Sequence, residues 1–277
     1  MTNRRTFAIS LLGLSASAPV YARFGEPEWL KFHQVECTLF ADRQAEPVRL
    51  LHLSDLHASP PVPKRLIERA IDAGLAAKPD IVCLTGDFVT VGGAFDSAWL
   101  ERQLARIAAA APAFACLGNH DGGRWASRFR GFRSPSSIGA LVRSSGVRLL
   151  HNENCEVNIK SRSFDLVGLA DLWSGEMQPK VAFPAPSSKK VVVMSHNPDT
   201  KDLLQDYGWQ LMLSGHTHGG QLSLPYFGTP FAPVRDHRYV EGLKPWNSRQ
   251  IQVTTGVGNL YGMRFNCRPE VSFLLLL

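Results

Sequence analysis

From residue 48 onward, short apolar runs alternate with longer stretches whose apolar positions recur at helical spacing. The run over 48–53 predicts a buried strand ending at Ser54-Asp55. Over 64–77, apolar residues at 66, 67, 70, 71 and 75 make one helical stripe, which Lys78-Pro79 closes. Residues 81–85 predict the next strand, ending at Gly86-Asp87. The stretch 97–111 sets Trp99, Leu100, Leu104 and Ile107 on one helical face, and 113–117 predicts a third strand ending at Gly118-Asn119. This strand–helix alternation implies parallel strands joined by right-handed crossovers. The second half is richer in strand pattern, at 147–150, 155–159, 164–169, 190–194, 211–214, 250–254 and 271–277. Together these elements predict an α/β fold: two sheets packed face to face as a β-sandwich, flanked by helices and built on β-α-β units.

Polar residues punctuate that pattern at consistent places. Asp55, Asp87, Asn119, His196 and His216 each follow an apolar run by one to three residues. Strand ends gather along one edge of an α/β sheet, where ligands bind. Side chains two apart on an extended segment project to the same side, so Asp55 and His57 can grip one ion together. His216 and His218 can do likewise, or straddle two ions. Imidazole, carboxylate and amide donors without thiolate suit Mn, Fe or Zn.

Composition narrows the choice. The five cysteines form no C-x-x-C pair, and their odd count leaves at least one thiol free, which excludes a disulfide framework and a zinc ribbon. Cys83 and Cys116 lie inside strand runs and read as buried structural thiols. The formal charge of +6 helps draw in anionic substrates but is too dispersed for a nucleic-acid face. No repeat or low-complexity tract divides the chain after its start. One domain over 48–277 is therefore expected, preceded by an N-terminal extension over 23–47.

Residues 1–22 read as an address. Arg4 and Arg5 precede an apolar and small-residue run over 7–18, and Val20-Tyr21-Ala22 supplies a small-x-Ala site. The adjacent arginines followed by Phe7 resemble a twin-arginine signal. Export to the periplasm or its membranes is expected, with cleavage after Ala22.

The blocks Asp55-Leu56-His57, Gly86-Asp87, Gly118-Asn119-His120-Asp121, His196 and Gly215-His216-Thr217-His218 stand in the order D-x-H, G-D, G-N-H-D, H, G-H-x-H. Any single block is weak, but five in order resemble the calcineurin-like metallophosphoesterases. The resemblance to bacterial phosphodiesterases of that family extends to Asp171-Leu172-Trp173 and to residues 261–270. It implies a metallophosphoesterase-like sandwich holding two divalent ions. Asp55, His57 and His218 would hold the first ion, and Asn119, His196 and His216 the second, with Asp87 bridging both. A hydroxide between the ions would attack phosphorus in line, and His120 would be the catalytic acid facing the leaving oxygen. Asp121 would either orient His120 or cap a turn.

The expected substrate is a phosphodiester or pyrophosphate-containing small molecule or lipid. Trp29, Leu30, Phe32, Phe129 and Phe132 leave room for peripheral membrane contact and for an alternative, a UDP-2,3-diacylglucosamine pyrophosphatase. A second alternative is a non-catalytic scaffold on the same fold. The basic, aromatic stretch over 124–133 is expected to be a solvated loop, the alternative being a cover over the site that contacts an anionic or lipid-bearing substrate. The glycine-rich stretch 255–262 lacks the lysine of a phosphate loop. Arg264 and Asn266 are candidate substrate contacts, while His33, His52, His151 and His237 are expected to be ordinary core or surface residues.

Overall fold

The computed structural model describes residues 18–40, 45–186 and 188–277. The arginine pair and most of the apolar leader lie outside the described residues. Among those residues, no helix is long and apolar enough to cross a membrane.

The expected alternation is present. Strand β2 (Val48–Leu53), helix α1 (Lys64–Ala76), β3 (Ile81–Thr85), α2 (Ser97–Ala110) and β4 (Ala113–Cys116) follow one another, with β2, β3 and β4 paired in parallel. Asp96 caps α2 by accepting the Trp99 N–H at 3.0 Å. The short helix α3 (Arg124–Arg128) and α4 (Ser136–Ser144) lead to the two-residue strand β5 (Arg148–Leu149). Then come β6 (Glu153–Ile159), β7 (Arg162–Gly168), β8 (Lys190–Met194), β9 (Leu211–Ser214), β10 (Gly242–Trp246), β11 (Arg249–Val253) and β12 (Glu270–Leu276).

Among the described residues the strands, with β1 at Lys31–Cys37, form two six-stranded sheets, ordered β1-β12-β2-β3-β4-β5 and β10-β11-β9-β8-β7-β6. Alternation along β2 shows why both faces of a sheet bury. Val48 and Leu50 point between the sheets, among Phe164, Leu166, Met194 and Leu213, whereas Leu51 and Leu53 point at α1 and α2. Truncating such a leucine to alanine costs about 2–5 kcal/mol. Cys37, Cys83, Cys116, Cys155 and Cys267 are all buried and unpaired.

Three features go beyond the sequence pattern. The segment 23–47 contains β1 (Lys31–Cys37), which pairs in parallel with β12 and so belongs to the first sheet. Strand β10 pairs antiparallel with β11 at the edge of the second sheet. Tyr21–Gly25 forms a π-helical turn in which Ala22 is buried, its carbonyl accepting the Arg264 N–H at 2.8 Å. The expected cleavage point therefore lies inside a packed turn.

Candidate metal centre

The parallel strands deliver the motif residues to one edge that both sheets share. β2 runs into Asp55 and His57, β3 into Asp87, and β4 into Asn119 and His120. From the second sheet, β8 runs into His196 and β9 into His216 and His218. All eight side chains are buried. Asp55, His57, Asp87, His216 and His218 all hold a left-handed backbone, with φ between 44° and 70°. Residues with a Cβ adopt that conformation at a cost of order 1 kcal/mol or more each, and such strain gathers at functional sites. It turns each side chain sharply off its strand end and toward the shared edge.

Donor atoms of Asp55, His57 and His218 lie within 4.8 Å of one another, as do those of Asp87, His196 and His216. Asp87 stands between the groups: its Oδ2 is 3.6 Å from His57 Nε2 and 3.1 Å from His196 Nε2. Its Oδ1 is occupied, accepting the His120 N–H at 2.8 Å. The His196 Nδ1–H donates to the Thr85 carbonyl at 2.7 Å, which leaves Nε2 as the ligand-bearing nitrogen. Two motif glycines permit the close packing. A Cβ on Gly118 would sit 2.2 Å from Asp87 Oδ1, and one on Gly215 would sit 2.2 Å from Asp55 Oδ2.

The side chains fit cations. Among the described residues none donates to the buried Asn119 Oδ1, and His57 Nε2 faces His218 Nε2 at 3.2 Å. Burial holds His57 and His216 down at about pKa 3, so their lone pairs are available. Burial also works against a second proton on His196, but the Asp87 and Asp55 carboxylates outweigh it and lift its pKa well above the ordinary value. The centre therefore combines the neutral imidazoles of His57 and His216 with carboxylates that hold positive charge beside them, here on His196.

The profile of the calcineurin-like phosphoesterases matches residues 48–220. The chain belongs to that family. It is 41% identical, over all of both chains, to Phosphodiesterase YaeI of Escherichia coli K12. It is also 28% identical, over 92% of each chain, to the UDP-2,3-diacylglucosamine pyrophosphatase LpxG of Chlamydia trachomatis. The metallophosphoesterase YkuE of Bacillus subtilis is 25% identical over 99% of this chain and 97% of its own. The phosphoesterase is accordingly a phosphoester hydrolase.

Around the centre of this phosphoesterase, several expectations resolve. His120 Nδ1 accepts the Val91 N–H at 2.9 Å, so a neutral ring carries its proton on Nε2, which lies 4.0 Å from Asp87 Oδ2. Asp121 spends its carboxylate on backbone amides rather than on the His120 ring. Its carboxylate accepts the Phe88 and Gly118 N–H groups at 2.8 Å each, which makes it the cap of the turn. His52 is a core residue, its Nε2 hydrogen-bonded to Thr85 Oγ1 at 2.8 Å.

Two expectations need correction. Trp125 and Phe129, from the stretch read as a solvated loop, line the cleft that opens onto the metal centre, and the Trp125 ring lies 4.7 Å from that of His120. Arg264 is fully buried and does not line the cleft. Its guanidinium donates to the carbonyls of Cys267, Thr255, Gly256 and Gly258. Asn266 is likewise committed, donating to the Ser223 carbonyl. The loop that Arg264 ties down carries the Gly258 N–H, which donates to the Asp55 carbonyl at 2.6 Å. Arg264 thus supports the metal-facing turn from behind, a role that nothing in its sequence neighbours announces.

Proposed function

We propose that this phosphoesterase hydrolyses phosphodiesters with two divalent cations, one held by Asp55, His57 and His218, the other by Asn119, His196 and His216, with Asp87 shared. The observation that carries this reading is the placement of Asp87 Oδ2 between the two donor groups. Cations in these positions supply Lewis acidity, neutralising charge on the phosphoryl oxygens and acidifying a water. Two carboxylates against two divalent ions leave about two net positive charges for an anionic substrate.

The protein's own groups supply the rest. The Val91 N–H fixes the tautomer of His120, so that its Nε2–H faces the cleft and can pass a proton to the departing alkoxide as the P–O bond breaks. The Trp125 ring, packed beside His120, keeps bulk water off that proton. Asp87 Oδ1, anchored by the His120 N–H, keeps Oδ2 aimed at the centre.

The direct test is a panel assay on protein reconstituted with Mn, Fe or Zn. Bis-p-nitrophenyl phosphate should turn over faster than p-nitrophenyl phosphate, with UDP-2,3-diacylglucosamine as the third substrate of the panel. Activity on none of the three in metal-loaded protein would end the reading.

We also propose export by the twin-arginine route, on the strength of Arg4, Arg5 and the apolar run that follows. A signal peptidase needs an accessible, extended segment, and the buried Ala22 in its helical turn supports a leader that stays attached.

A further inference from the structure

The cleft above the metal centre has a volume of about 650 Å³. Its floor holds Asp87, Asn119, His120, His216 and His218, while its walls are built from Trp125, Phe129, Trp173, Phe231, Tyr261 and Met263. Two of the neutral polar side chains on the wall already have partners: Thr90 Oγ1 bonds His57 Nδ1 at 3.1 Å, and the Thr217 hydroxyl donates to the Val240 carbonyl at 2.6 Å. A nucleobase would need free donors and acceptors to match its edge, and this wall offers few.

The mouth of the cleft is apolar too. Phe129, Phe231 and Tyr261, which line it, are 55%, 66% and 75% exposed. Large aromatics left in water beside a cleft mark a surface that is covered in use. The N-terminal turn packs at the same rim. Arg264, next to Met263, donates its N–H to Ala22, and the Tyr21 ring meets Phe265 edge-on at 6.4 Å.

We propose that the cleft takes the acyl chain of an amphiphilic phosphoester, with the ester phosphorus at the metal centre and the chain running out past Phe231 and Tyr261. This inference rests on the hydrolytic reading above and specifies its substrate class. Continuity carries it: the same cavity joins the phosphate-facing side chains to a wall made mostly of aromatic and aliphatic side chains.

The test is a series of p-nitrophenyl alkyl phosphates, methyl through octyl, kept below their aggregation concentrations and compared with the p-nitrophenyl ester of thymidine 5′-phosphate. Each buried methylene is worth about 0.8 kcal/mol, or about fourfold in affinity. The kcat/KM should rise at least about tenfold from methyl to octyl, mainly through KM, and the octyl ester should exceed the thymidine ester. Phe231→Ser combined with Tyr261→Ser should flatten the series while leaving the metal content unchanged. Flat or falling dependence on chain length, or preference for the thymidine ester, overturns the proposal. Calorimetric binding of octyl phosphate against methyl phosphate reads the same preference without turnover. Tighter octyl binding by a protein that hydrolyses nothing would spare the cleft assignment and remove only the hydrolytic one, and equal binding of the two would remove the cleft assignment.

Discussion

His120 shows how backbone and side chain divide the work at the scale of one residue. Its Nδ1 is committed to the Val91 N–H, so its chemistry is confined to Nε2. Replacing His120 with alanine should lower kcat by about 10²–10⁴-fold, with metal content retained. Turnover equal to wild type would show that the ring is not the acid. The motif glycines make a second prediction. Gly215→Ala forces a methyl group against Asp55 Oδ2 and should reduce metal occupancy by at least about half, read by elemental analysis. The candidate ligands were legible because each stands just past an apolar run. Their partners were not, because the Thr85 carbonyl and the Val91 N–H are backbone groups that no residue type announces. The left-handed turns at Asp55, His57 and Asp87 were equally silent, since these residues are not glycines.

At the scale of elements, the strands hidden from the pattern lie at sheet edges. β1 alternates half-buried and exposed positions and includes Lys31, His33, Gln34 and Glu36, so no apolar run marks it. It is tied to β12 by Glu270, which bonds Lys31 at 3.1 Å and faces His33 at 3.5 Å. Burial works to raise the Glu270 pKa, but the bonds from His33 and Ser272 and the charge of Lys31 win and hold it at about 2. Because the folded value lies below the ordinary 4.5, the stabilisation is full above pH 4.5 and is lost as pH falls toward 2. Glu270→Gln should cost roughly 2–3 kcal/mol at pH 7, with the gap to wild type closing in urea titrations near pH 2. A constant gap across that range would contradict the assignment. Arg264 acts on a loop in a comparable way. Arg264→Met leaves four buried carbonyls without a charged donor and should cost about 2–4 kcal/mol. It should also weaken metal binding on the Asp55 side, an effect that a purely distant structural lesion would not produce.

On the scale of the whole molecule, the chain splits its candidate site between two sheets. Asp55, His57, Asp87, Asn119 and His120 come from the first, and His196, His216 and His218 from the second. The core between the sheets, with Leu50, Cys83, Phe164, Met194 and Leu213, fixes their separation and so fixes the site. The two-sheet architecture was legible because runs of β pattern outnumbered helices. Where the chain's start would dock was not, since the packing of Ala22 against Arg264 joins residues far apart in sequence. N-terminal sequencing of exported protein should find the leader attached, whereas a start at Arg23 would mean that the packed turn is cut.

The most direct measurement is the metal content per chain, taken with diester turnover, in wild type and Asp87→Asn. Asp87 Oδ2 stands between both donor groups, so wild type should hold two divalent ions, and Asp87→Asn should lose at least one along with most of the activity. A folded wild type that binds no transition metal after reconstitution would contradict the account, as would an Asp87→Asn variant that keeps both ions at full turnover.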